Sequence, residues 1–257
     1  MTLRRSLPSV VALGGLLLSA PAASAQEDLS AARTTATATS AGTGAFLPFT
    51  LSPAIDKQSA LGAAVGGYDG AHQAGVFEAA AEVRVFGPVA LRGGAVYSSA
   101  GDRLRPSLGA RVQALREGRH GLDGAIGVAY RPEGLTELEG EVEAVLSLGA
   151  HLGLTYLTGN LVYGQDPEGN ERDGEVRLAA LHPLGRFLVG ADARLRFDLG
   201  SQPAKQEARL DAVVGPVASM VAGPVALLLQ GGASALKLQG TPTTVGALVL
   251  GGVGASF

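Results

Sequence analysis

Two rows of charge in this sequence have types and spacing that could do chemistry. Arg84, Arg92, Arg103, Arg105 and Arg111 crowd one stretch, and Glu137, Glu139, Glu141 and Glu143 follow at every second position. In an extended strand alternate side chains share a face, so the four carboxylates form one column. Such a column can hold a divalent cation weakly; its bland reading is a solvated strand face. Of the four histidines, His120, His151 and His182 fall beside short chain connections. Only His72 sits in a longer one, with Asp69 and Asp102 in range. Catalysis needs partners placed within hydrogen-bond reach. No nucleophile and base recur at such a spacing, so no catalytic residue, metal site or cofactor is assigned. Gly252-Val253-Gly254 precedes no helix, which removes a nucleotide-binding loop. The chain has no cysteine, hence no disulfide or thiolate metal site. Its net charge of −3 offers no footprint for nucleic acid.

The elements that must position these charges are strands. From Ser59 onward apolar and polar residues alternate, broken by turn residues at regular intervals. Leu104, Pro106, Leu108, Ala110 and Val112 oppose Arg103, Arg105, Ser107, Arg111 and Gln113. Leu138, Gly140, Val142, Ala144 and Leu146 oppose the glutamate column. Phe187, Val189, Ala191, Ala193, Leu195 and Phe197 oppose Asp192, Arg194, Arg196 and Asp198. The stretch from Leu152 to Tyr163 alternates without declaring a face. The count is about twelve strands, a size for which one all-β domain is expected.

The chain before Ser59 is different. Residues 1–25 carry Arg4 and Arg5, an apolar run from Val10 to Ala20 and Ala23-Ser24-Ala25, the pattern of a cleavable signal peptide. Residues 26–58 form a flexible Thr/Ala/Ser-rich amino-terminal segment, except for Phe46-Leu47-Pro48-Phe49. Residues 59–257 hold the strands. Past the signal, no run reaches the roughly 20 apolar residues of a spanning helix.

The last strand, Thr243 to Phe257, alternates small and apolar residues back from an aromatic carboxy terminus. It resembles the closing strand of bacterial outer-membrane β-barrels, in which the terminal aromatic is the assembly signal; the resemblance gives Phe257 that role. Three features extend it over residues 59–257. Short connections alternate with longer ones, as in outer-membrane barrels. Aromatics gather at strand ends, Tyr97, Tyr130 and Phe197 by long connections and Phe187 by a short one, as membrane-interface girdles do. The apolar face is Val, Leu, Ala and Gly, too small to fill a packed protein interior but suited to lipid.

The expectation is an all-β transmembrane antiparallel up-and-down barrel of the porin-like class, exported to the outer membrane, with both termini periplasmic. Its lumen would carry the arginine and glutamate rows, similar to the basic and acidic ladders of general porins. A narrow channel or transporter for small solutes and a filled structural or adhesive barrel both stay open, with an outer-membrane hydrolase behind them. The implied partners are outer-membrane lipids and lipopolysaccharide, the barrel-assembly machinery and an unidentified small solute. Strands eleven, twelve and one have an almost uncharged inner face, and the Phe46–Phe49 segment is expected to dock there as a plug.

Overall fold

The computed structural model describes residues 47, 49–55, 59–69, 74–99, 103–132, 135, 139–167, 172–200, 208–238 and 240–257. The signal-peptide reading, Phe46, Pro48, His72, Asp102 and Glu137 lie outside these residues. Twelve strands run in chain order: β1 (Ala60–Tyr68), β2 (Ala74–Phe86), β3 (Val89–Ser98), β4 (Arg103–Leu115), β5 (Asp123–Pro132), β6 (Gly140–Leu152), β7 (Thr155–Gln165), β8 (Arg172–Leu184), β9 (Phe187–Asp198), β10 (Ala208–Ala222), β11 (Val225–Leu238) and β12 (Thr244–Ser256). One four-residue helix, α1 (Glu117–His120), sits between β4 and β5.

Each strand pairs antiparallel with its neighbours in sequence, and β1 pairs with β12, closing the barrel. The seam finishes on a reciprocal pair, Ser59 N–H to Phe257 O and Phe257 N–H to Ser59 O, both 2.9 Å. Closure removes the edges that would otherwise leave backbone groups unpaired in lipid.

Four of the connections are two-residue turns, and each begins with a left-handed glycine: Gly87, Gly153, Gly185 and Gly223, φ between 48° and 63°. Glycine tolerates that conformation without steric cost, and a leading glycine suits a two-residue hairpin. These turns, α1, the start of β1 and Phe257 all lie at one end of the barrel. The longer connections lie at the other. The β6–β7 turn is at Gly153-Leu154, and β6 runs through Ala150 and His151, which the sequence alone suggests as the turn.

Polarity is inverted relative to a water-soluble sandwich. Asp192 and Gln230 are 0% exposed, whereas Leu108 is 69% exposed. Ile126, Leu178, Leu229 and Val249 also stand on the outer surface. A charged interior with an apolar exterior is the arrangement of a barrel surrounded by hydrocarbon. The face of β7 is now defined: Tyr156, Thr158, Asn160 and Val162 are buried inside, and Leu157, Leu161 and Tyr163 face out.

Candidate functional site: the barrel lumen

The inward charges are mostly committed to one another. Arg131 meets Glu143 at 2.6 Å, Arg177 meets Glu175 at 2.6 Å, and Arg194 meets Asp211 at 2.6 Å. Arg196 binds Asp173 and approaches Glu141 to 3.9 Å. Arg111 reaches over β3 to grip Glu82 of β2 with two bonds, 2.7 Å from Nε and 2.5 Å from Nη2. The reach is open because Ala90, opposite Arg111 in the ladder, is small and fully covered.

The two rows read from sequence are redistributed. Arg92, Arg105, Arg111 and Glu143 line one interior chamber. Arg84 sits at the short-turn end, where its Nε donates to Gly87 O at 2.7 Å. Arg103 opens β4 opposite Ser98. Glu139 precedes β6 and is exposed, so it stands at the rim, and the described acidic wall on β6 is Glu141 and Glu143. Alternation marks a column but not where the strand begins, and here the strand begins at Gly140.

Aromatics also divide. Tyr97 lies opposite Phe77 on the outer face, and Tyr130 opposite Leu108. Phe197 covers Gly174, where an added Cβ would come within 2.6 Å of the ring. Phe187 at the short-turn end carries Arg186 5.3 Å from its ring centroid. Tyr68 and Tyr156 stand on the inner face instead. Tyr68 faces the lumen at the end of β1, and Tyr156, the second residue of β7, points inside.

The amino-terminal segment occupies the interior. Leu47 packs on Ala179, Leu181, Val217 and Leu228. Phe49 packs on Val213, Leu248 and Leu250, with Tyr68 beside them. The apolar inner wall therefore includes β10, through Val213 and Val217, as well as β11 and β12. The remaining contacts are polar. Asp192 accepts from Phe49 N–H at 3.2 Å and from Thr50 Oγ1 at 2.5 Å. Asn160 binds both sides of Leu51: its Oδ1 accepts from the N–H and its Nδ2 donates to the carbonyl, both at 2.7 Å. Ser52 Oγ meets the Tyr156 hydroxyl at 3.2 Å. Arg111 donates to the carbonyls of Ser52 and Ala54, and Gln113 Oε1 accepts from Ile55 N–H at 3.1 Å. Asp123 in turn holds Gln113 Nε2 at 2.9 Å. The alternation puts Asp192 and Gln113 on polar faces but assigns them no contact, and it marks neither Asn160 nor Tyr156. On β7 the only available signal is the parity of Thr158 and Asn160.

Above this segment lies a chamber of about 310 Å³. Phe49 and Leu51 form part of its wall, and its charged lining among the described residues is seven arginines and three glutamates.

At the short-turn rim, Glu117 of α1 accepts from His151 N–H at 2.6 Å and pairs with His151 Nδ1 at 2.7 Å. Burial pushes the Glu117 carboxyl up, but the bonds from His151 outweigh it and hold the group below its usual 4.5. A carboxylate with a lowered folded-state pKa stabilises fully above its unfolded value. That contribution disappears as pH falls through the lowered value. The protection of residues 116–122 against hydrogen exchange, relative to their intrinsic rates, is therefore expected to fall as pH drops through that lowered value, with less than about 1 kcal/mol at stake in this solvent-accessible pair. Glu117→Gln should flatten that pH dependence; an unchanged profile in the variant would assign it to another group.

No family model matches the sequence, and no curated protein matches it. Among solved structures, the NanC porin is similar with a TM-score of 0.54 and 9% identity, over 76% of this chain and 98% of that one. The KdgM porin is similar with a TM-score of 0.54 and 9% identity, over 77% of this chain and 99% of that one. At such identity the likeness carries the fold, and the fold is that of the outer-membrane β-barrels, a closed twelve-strand porin-like barrel.

Proposed function

We propose that the protein is a narrow, charge-lined outer-membrane channel for small solutes, closed by its own amino-terminal segment. The single carrying observation is the match between residues 49–55 and the lumen wall. Side chains of β4, β7 and β9 meet the backbone groups of this segment one by one, while a charged chamber stays empty of protein above it. A segment bound chiefly by side-chain hydrogen bonds can leave without breaking a strand ladder, which suits a gate. Export by residues 1–25 puts the short-turn end and both termini in the periplasm. Lipids and lipopolysaccharide then contact the apolar belt, and Phe257 serves the assembly machinery.

A second reading is a filled, non-conducting barrel, favoured by the density of internal ion pairs. Asp192→Ala separates the two. The substitution removes two hydrogen bonds to a charged acceptor, about 3 kcal/mol together, or roughly a hundredfold in the docked-to-undocked ratio. Proteoliposomes carrying the variant are expected to swell in isosmotic arabinose much faster than those carrying the intact chain. Equal and negligible swelling, with the barrel folded in both, would establish the filled reading.

A further inference from the structure

We infer that the chamber is a binding site for a small organic anion, one with a carboxylate or phosphate next to a hydroxyl, and that the plug forms its floor. The inference rests on the channel reading and names the class of solute.

The first observation is Arg92. It stands directly opposite Glu82 in the β2–β3 ladder. Each oxygen of Glu82 already accepts from Arg111, so the carboxylate facing Arg92 is shared with a second guanidinium. Arg92 Nη1 is buried and has no hydrogen-bond partner among the described residues. A buried guanidinium donor left in this way costs free energy, which an anion on the chamber side would recover.

The second observation is on the opposite wall. Six places around the ring from β3 is β9, and there Arg194 lies opposite Arg177 of β8. Like charges directly opposite destabilise a sheet. Each has its own carboxylate, Asp211 and Glu175, yet Arg194 Nε is buried with no hydrogen-bond partner among the described residues. Arg194 also lies over the Phe49 ring, 5.2 Å from its centroid. Arg92, Arg177 and Arg194 thus approach one chamber from facing walls, and guanidinium groups bind carboxylate and phosphate through paired N–H donors.

The third observation sets the ligand's other half. Glu78 also lines the chamber. It opposes a bare anion and accepts from a hydroxyl, which favours a hydroxylated acid over a halide. The volume of about 310 Å³ admits a few heavy atoms beyond the anionic group. Because Phe49 and Leu51 line the same space, and Arg111 both lines it and holds the Ser52 and Ala54 carbonyls, an occupant sits against the gate itself.

The test uses the whole mature chain in detergent at fixed ionic strength, titrated calorimetrically with glycerol 3-phosphate, inorganic phosphate, glycerol and sodium chloride. Saturable binding of glycerol 3-phosphate, tighter than inorganic phosphate and absent for glycerol, is expected. Arg92→Gln should weaken it by about tenfold or more, the order expected for a charge-assisted contact, while Arg186→Gln at the short-turn end leaves it unchanged. Arg194→Lys, which keeps the charge but loses the planar fork, should weaken it as well and serves if Arg92→Gln does not fold. No saturable binding, equal binding of glycerol, or full binding by the folded Arg92 and Arg194 variants overturns the proposal. Binding is read without conductance, so a non-conducting protein that still binds glycerol 3-phosphate would refute the channel and leave the site standing.

Discussion

Deletion of residues 26–55 is expected to convert a closed protein into one that gives stable, discrete conductance steps in planar bilayers. The effect should be the largest of any change to this chain, because it removes the segment proposed as the gate. Leu47 and Phe49 are each about 6% exposed, and burying such side chains is worth about 1.5–3 kcal/mol apiece. The polar contacts to Asp192, Asn160, Arg111 and Gln113 add to this. The barrel should survive the deletion. Among the described residues, no backbone-to-backbone hydrogen bond joins residues 47–55 to a strand, so the twelve ladders stay intact. Folding of the variant is checked by the heat-dependent gel mobility of closed barrels. A folded variant that shows no steps would exclude the gate and favour a lumen filled by its ion pairs.

Gly66→Val is expected to prevent closure of the barrel. Gly66 lies opposite Leu250 across the β1–β12 seam. A Cβ there would fall 2.0 Å from the Val249 carbonyl oxygen and 2.7 Å from Leu250 Cδ2. Leu250 crosses this space to reach Phe49, so glycine is what lets the side chain turn inward. Overpacking of this kind costs about 3 kcal/mol at its upper range. Here the strain lies on the seam, and opening the seam exposes two strand edges to lipid, where each unpaired backbone group costs several kcal/mol more. The expected result is loss of the fast-migrating folded form. Gly251→Val on β12 is the control, since nothing lies within 4 Å of an added Cβ. Equal folding of the two variants would show that crowding at Gly66 does not limit closure of the seam.

These expectations rest on features that were legible to different degrees. The strands, their number and the two ends of the barrel could be read from the chain. Leu104 to Val112 alternating with Arg103 to Gln113 is a local pattern, dictated by the two-residue repeat of extended backbone. The glycines that open the two-residue turns are local too. The inward parity of Arg92, Arg111, Glu143 and Asp192 followed from the same rule.

What the rule could not supply was partnership. Arg111 ends on Glu82, two strands away, because Ala90 leaves room between them. Glu143 takes Arg131 of the adjacent strand rather than a member of the arginine row. Arg92 Nη1 has no hydrogen bond among the described residues, while Arg111, a strand further on, bonds both oxygens of Glu82. Tyr68 and Tyr156 stand on the inward parity of their strands, where the Phe49 cluster packs on Tyr68 and Ser52 meets the Tyr156 hydroxyl. By itself the sequence determined a membrane-type barrel with a charged interior, since periodicity and composition are properties of the chain. Only the tertiary structure decided which charges are spent on one another, which guanidinium nitrogens stay without a hydrogen bond among the described residues, and which wall residues meet residues 49–55, since those depend on distances across a closed ring that no linear spacing encodes.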